Sequence, residues 1–281
     1  MRLVIIGYGY SSQAIHAALA DTLTGLTVTC RSDEKANALK AAGIDAVVFD
    51  GTAFCPALAA AIKNATHLIQ SAAPGEAGDP LLAHHEMDSA RDLQWVGYLS
   101  TVGVYGDHGG AWVDEETPAT PRSERSVMRV AAEEAWLHRQ AVLGFQLGIF
   151  RLAGIYGPGR SALEKMRDGT VRRIIKPGQV FNRIHVEDIA RVVAAAARAG
   201  EGGIFNVSDD EPGPPQDVIT RAAELLGQEP PPEVCFEEAG LSPMGQSFYG
   251  ENKQVSNAKI KKHFGPMLYP TYREGLAALL L

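Results

Sequence analysis

Apolar and polar positions fall into alternating blocks along this chain. Residues 2–6 (RLVII) are a short apolar run rich in β-branched side chains, the pattern of a parallel strand buried on both faces. Residues 13–20 (QAIHAALA) are good helix formers. The same succession recurs downstream. Strands are predicted at 27–30, 45–49 (DAVVF), 67–70, 96–100 (VGYLS), 145–151 and 204–207. Helices are predicted at 34–42, at 123–143, and from the stretch opening at Arg183. Strands alternating with helices demand a mostly parallel sheet covered on both faces, so the expected class is α/β with a doubly wound parallel sheet.

Between the first strand and the first helix lie Gly7, Tyr8, Gly9, Tyr10, Ser11 and Ser12. Strand, glycine turn and helix in that order open a dinucleotide-binding βαβ unit of the Rossmann type. Gly7 permits the tight turn, and Gly9 lets the backbone approach a pyrophosphate with no Cβ in the way. The helix N-terminus that follows offers N–H groups and partial positive charge to the phosphates, and Tyr10, Ser11 and Ser12 are cofactor-binding candidates beside it. Ser12 takes the third glycine position, where a small residue serves helix–strand packing.

The end of the second strand is where such a fold reads the adenosine ribose. An acid there suits the 2′-hydroxyl of NAD, and an arginine suits the 2′-phosphate of NADP. Arg31 comes first, beside Ser32, and Asp33 is placed at the helix N-cap. The expected cofactor is NADP, with NAD as the alternative. Asp50 either accepts a hydrogen bond from the adenine amino group or caps a turn. Ser71, Ala72, Ala73 and Pro74 form a loop of small residues against which a cofactor ribose could lie.

Beyond residue 208 the punctuation changes. The segments 209–215 (DDEPGPP) and 227–233 (GQEPPPE) are turn-rich breaks around a predicted helix at 216–226. A short strand at 234–236 and helices at 257–264 and 272–281 follow. This part is too small to bury a core alone. The expected division is a dinucleotide-binding domain at 1–155, completed by 183–208, and a small substrate-binding or lid part at 156–182 and 209–281.

Composition narrows the partners. The chain has 281 residues, 46% hydrophobic and 21% charged, with a net charge of −7. That fits a folded protein and argues against nucleic acid or an anionic membrane as a partner. No apolar run is long enough to span a bilayer, and because residue 2 already opens a strand, no cleavable leader is expected. Cys30, Cys55 and Cys235 are odd in number and widely spaced, so they read as reduced, mostly buried thiols of a cytoplasmic protein. The run His84-His85-Glu86 lacks partners at metal-ligand spacing and is expected on a surface helix, with no metal site.

Five segments in order, GYGYSS from Gly7, YLSTVGVYG from Tyr98, RLAGIYGPG from Arg151, RIHVEDIA from Arg183 and FNVSDDEP from Phe205, resemble an extended short-chain dehydrogenase/reductase. The resemblance is to an atypical branch of the NAD(P)-dependent epimerase/dehydratase family, and it covers nearly the whole chain. It implies a catalytic Ser or Thr at Thr101, with Ser100 beside it, and a Tyr-x-x-x-Lys pair at the start of the long helix. In that register Arg125 stands at the tyrosine position and Arg129 at the lysine position. Arginine stays protonated in proteins, so Arg125 cannot be the general acid or base, while Arg129 could still hold the cofactor ribose. Tyr105, Ser126 or a water would then replace the missing tyrosine. A literal Tyr-x-x-x-Lys at Tyr249 and Lys253 reads as a coincidence of spacing. The resemblance implies an oxidoreductase or epimerase/dehydratase acting on a small polar or sugar-like substrate. The rival reading is a catalytically silent NADP-binding sensor or scaffold. A homodimer through helix 123–143 is implied by family habit alone.

Overall fold

Buried β-branched residues set the centre of the fold, as described for residues 1–280 in a computed structural model. The elements in order are β1 (Arg2–Ile6), α1 (Tyr10–Leu19), β2 (Gly25–Cys30), α2 (Asp33–Ala41), β3 (Asp45–Val48), α3 (Pro56–Lys63), β4 (His67–Gln70) and β5 (Trp95–Thr101). Then come β6 (Trp112–Val113), α4 (Glu124–Leu143), β7 (Gln146–Leu152), β8 (Gly154–Tyr156), α5 (Ala162–Arg167), β9 (Arg173–Ile175), β10 (Arg183–His185) and α6 (Val186–Ala199). The last are β11 (Gly203–Val207), α7 (Pro215–Leu226), β12 (Glu233–Cys235), α8 (Pro243–Tyr249), β13 (Gln254–Val255), α9 (Ala258–Phe264) and α10 (Tyr272–Ala278).

The large sheet has seven strands in the order β11-β7-β5-β4-β1-β2-β3. β1 pairs in parallel with β2 on one side and β4 on the other, Ile5 lying opposite both Val28 and Ile69. The strand order therefore reverses between β1 and β4. In a doubly wound sheet that switch point opens a crevice at the carboxyl ends of the strands, where ligands bind.

Two compact units divide the chain. The first comprises Met1–Val104, Glu124–Arg151 and Ala190–Phe205, and the second Tyr105–Ser123, Leu152–Ile189 and Asn206–Leu281. Residues 105–123, which the sequence reading keeps with the dinucleotide domain, thus cluster with the second unit. In the first unit Val4, Ile6, Leu68, Val96 and Ile149 of the sheet pack with Ala132 and Trp136 of α4 and with Leu58 and Ile62 of α3. The second unit packs Tyr156, Leu163, Ala222, Tyr272 and Leu276 into one cluster, and Ile174, Ala239 and Tyr249 into another. Its α10 begins with a capping box, Thr271 and Glu274 bonding reciprocally.

Several local expectations are corrected. Residues 183–185 pair with β8 as a strand, and α6 starts only at Val186. The α2 cap is Ser32, whose Oγ accepts the Lys35 N–H at 3.3 Å, and Asp33 is the first helical residue. The His84-His85-Glu86 stretch leads into a 3₁₀ turn, Glu86–Ser89, in place of a surface helix. Glu86 is buried there because its carboxylate accepts the Cys55 N–H at 2.8 Å. Among the described residues no group of three or more His, Cys, Asp or Glu is placed to hold a metal. No helix of the described residues is long and apolar enough to cross a membrane. Cys30 is buried, Cys55 half-buried and Cys235 exposed, so burial of the thiols holds fully only for the first. The helix predicted to 281 ends at Ala278, and Leu281 lies outside the described residues.

Candidate functional site

The first unit presents its glycine loop at the switch point. Gly7 has φ +85°, and a Cβ there would lie 3.0 Å from the Ala72 nitrogen, so the turn after β1 and the loop after β4 meet backbone to backbone. Only glycine satisfies both conditions. A Cβ on Gly9 would meet nothing within 4 Å. Gly9 is also the N-cap of α1, with no capping side chain and no acidic residue in the first turn. A helix start of that kind takes an anion as its complement.

Side chains brace this loop from beneath. The Gly7 N–H donates to Thr29 Oγ1 at 2.8 Å and the Tyr8 N–H to the Thr29 carbonyl at 2.9 Å. Ser12 is fully buried and its Oγ donates to the Gly7 carbonyl at 2.8 Å, so the serine clamps the turn in addition to being small. Ser11 is buried and Tyr10 half-buried at the helix start. The Tyr8 hydroxyl bonds His16 Nδ1 at 2.7 Å. Burial pushes the Tyr8 phenol up and the His16 imidazole down.

At the end of β2, Arg31 is exposed beside the N-cap Ser32. The Asp50 carboxylate accepts both the N–H and the hydroxyl of Thr52, at 2.9 and 2.7 Å, and these bonds hold it below the usual carboxylate range. Both bonds fall on Oδ1 and are those of a turn cap. Ser71 and Ala72 both donate their N–H to the Ile6 carbonyl, Ala73 is exposed and Pro74 buried.

The candidate catalytic residues separate. Thr101, half-buried at the end of β5, accepts the Gly103 N–H on Oγ1 at 3.1 Å and keeps its own hydroxyl proton to donate. A Cβ on Gly103 would lie 2.8 Å from Ser126 Oγ and 3.4 Å from Thr101 Oγ1, so both hydroxyls converge on that glycine. Ser100 does not join them. Neighbouring strand residues point to opposite faces, and Ser100 Oγ donates into the core to Glu133 at 2.5 Å. The same carboxylate receives Arg151 in a two-point contact at 3.2 and 2.7 Å, with both side chains nearly fully buried. Ser100 is therefore structural.

Arg129 has one of its nitrogens engaged within the first unit. Its Nη1 donates to the Leu99 carbonyl at 2.7 Å and to the Tyr98 hydroxyl at 3.3 Å, and the guanidinium lies over the Tyr98 ring at 5.8 Å. Burial pushes the Tyr98 phenol up to about 12, against the opposing effect of the Arg129 charge. Arg125, one turn earlier on α4, is exposed. The two arginines thus occupy different environments.

The second unit holds Tyr105, Tyr249 and Lys253, together with the buried polar residues His185, Asp188 and Asp209. Tyr105 is fully buried and donates to Asn206 Oδ1 at 2.8 Å, so it is not a free proton donor. Tyr249 packs with Phe181 and Phe236, while Lys253 donates to the Gly106 carbonyl at 2.6 Å and to Glu251 at 2.7 Å. α8 ends at Tyr249, so the two never share a helix face. His185 Nδ1 accepts the Glu187 N–H at 3.3 Å at the α6 start, and Asp188 holds the Leu268 and Tyr269 N–H groups at 2.6 and 3.0 Å. Asp209 is buried and pushed up to about 8 by desolvation. Sequence reasoning missed Thr29 and Lys35, whose only signal was a threonine and a lysine flanking the ribose-reading turn.

The sequence profile of the NAD dependent epimerase/dehydratase family matches residues 11–208. The chain belongs to this family. Among solved structures, a functionally unknown conserved protein from Silicibacter pomeroyi DSS is 49% identical, with a TM-score of 0.88 over 99% of this chain and 97% of that one. DesIV, a dTDP-glucose 4,6-dehydratase from Streptomyces venezuelae, shares the fold at 17% identity, with a TM-score of 0.79 over 100% of this chain and 96% of that one. Protein YeeZ of Escherichia coli K12 is 32% identical over 148 residues, which is 48% of this chain and 47% of YeeZ. The chain thus spans about half the length of that curated relative. The match opens at residue 11, just after the glycine turn, and spans Arg125 and Arg129, which stand where the resemblance implies tyrosine and lysine.

Proposed function

We propose that the chain binds a nicotinamide dinucleotide on its glycine loop, with NADP preferred, and acts as an oxidoreductase or epimerase/dehydratase on a small polar or sugar-like substrate. The observation that carries this reading is the open space over Gly9 beside an uncapped helix start at the switch point. The DesIV structure holds NAD and TYD, and a MoeE5 structure of the same fold holds UDP-glucuronic acid and NAD, which supports the class of ligand. Exposed Arg31 supports NADP, since a guanidinium can take a 2′-phosphate through paired hydrogen bonds. Calorimetric titration of the protein with NADPH and NADH tests the reading, with tighter binding of NADPH expected.

A bound nicotinamide supplies hydride chemistry. The chain's own contribution is polarisation of a substrate oxygen by the Thr101 hydroxyl, with Ser126 beside it. Thr101→Val should then lower turnover while leaving dinucleotide affinity unchanged. A second reading, a silent NADP-binding sensor, is favoured by one observation: the hydroxyl of Tyr105 is committed to Asn206 and Nη1 of Arg129 to Leu99 and Tyr98. Incubation of the dinucleotide-loaded protein with mixed ketones and nucleotide sugars, read by both NADPH absorbance and product chromatography, separates the two: a reductase consumes NADPH, an epimerase or dehydratase converts the sugar with no net change in cofactor, and a sensor does neither. The homodimer remains a proposal of the same kind. Val127 and Val142 stay exposed on α4, and the mass in solution by light scattering tests it.

A further inference from the structure

We propose that Lys35 is a positioning residue that couples the phosphate and ribose ends of the dinucleotide site, an inference that rests on the functional reading above. Its Nζ donates to the Tyr8 carbonyl at 2.8 Å. That carbonyl belongs to the peptide leading into Gly9, the residue with open space above it. The N–H of the same peptide donates to the Gly7 carbonyl at 2.9 Å. A cation on one end and a carbonyl on the other fix the plane of this peptide, and the cation polarises it. The backbone N–H of Lys35 meanwhile donates to Ser32 Oγ at 3.3 Å, and Ser32 adjoins Arg31. One residue therefore holds the phosphate loop by its side chain and the ribose-reading turn by its main chain.

Charge adds to geometry. Among the described residues the Lys35 ammonium is given to a carbonyl and to no carboxylate. The ammonium of this exposed side chain stands beside the glycine loop with no carboxylate paired to it. Because its Nζ is committed to Tyr8, Lys35 acts through the loop and serves NADP and NAD alike. Arg31, exposed and without such a commitment, is left to discriminate between them.

The test titrates NADPH and NADH into wild type, Lys35→Met and Lys35→Arg at low and high salt. A charge-assisted bond of this kind predicts that Lys35→Met weakens both dinucleotides equally, by about ten-fold. Lys35→Arg restores most of the loss, and the salt dependence of binding is shallower in Lys35→Met than in wild type. The restoration and the salt dependence are what a purely structural lysine would not produce. Unchanged binding in Lys35→Met overturns the proposal, and so does a loss confined to NADPH, which would make Lys35 a direct reader of the 2′-phosphate. Wild type that binds neither dinucleotide overturns the functional reading first and this inference with it.

Discussion

The loop after β1 and the cluster after β5 stand two strands apart in one sheet, and they are built from different materials. The loop works through main chain: a left-handed Gly7, an open Gly9 and a helix start without a cap. Its side chains, Thr29, Ser12 and Lys35, only brace that main chain. The β5 cluster is built from side chains, each defined by its own partner. Arg129 gives its Nη1 to Leu99 and Tyr98, Ser100 gives its hydroxyl to Glu133, and Thr101 keeps a hydroxyl proton to donate. Binding of a dinucleotide asks for backbone geometry, which many sequences provide. Proton transfer asks for one functional group at one place, so it is lost or moved by a single substitution.

The largest effect should come from breaking the loop. Gly9→Val fills the open space with a branched side chain and should abolish NADPH binding in calorimetry while far-UV circular dichroism stays native. Retained affinity would show that the loop does not hold the phosphates.

The next effect concerns stability in the β5–α4 region. Glu133→Gln leaves Arg151 buried without its carboxylate, and removing one partner of a buried pair costs about 3–5 kcal/mol. Urea denaturation should show that loss. A change below the effect of an ordinary surface substitution would mean that Ser100 and Arg151 do not depend on Glu133.

A smaller effect sharpens the cofactor preference. Arg31→Ala should weaken NADPH by about ten-fold, the worth of a charge-assisted phosphate contact, and leave NADH nearly unchanged. Equal losses for both would move Arg31 from reading the ribose to holding the turn.

The smallest effect is expected at Asp50. Its carboxylate is engaged by Thr52 on an exposed turn. Asp50→Asn should alter dinucleotide affinity less than two-fold, as exposed substitutions away from a ligand usually do, within about 0.5 kcal/mol. A ten-fold loss would return Asp50 to the adenine.

The sequence by itself determined the alternation of strands and helices, the parallel sheet, the position of the glycine loop and the absence of a tyrosine at residue 125. These follow from local pattern: β-branched runs, helix formers, and glycines whose backbone freedom no other residue matches. It placed strands 2–6 and 67–70 within the bounds observed, and the long helix to within one residue. Only the tertiary structure decided which side chains face one another. Ser100 and Thr101 are adjacent in sequence, and the pleat sends one into the core toward Glu133 and the other to Gly103. Tyr105 looks like a proton donor in its motif, yet Asn206, far along the chain, takes its hydroxyl. Lys35 looks like any solvated helix lysine until the β2–α2 turn brings its ammonium to the Tyr8 carbonyl. Such partners are separated by tens of residues or more, and local propensity carries no record of them. They exist because the fold closes those distances and buried polar groups must then be paired.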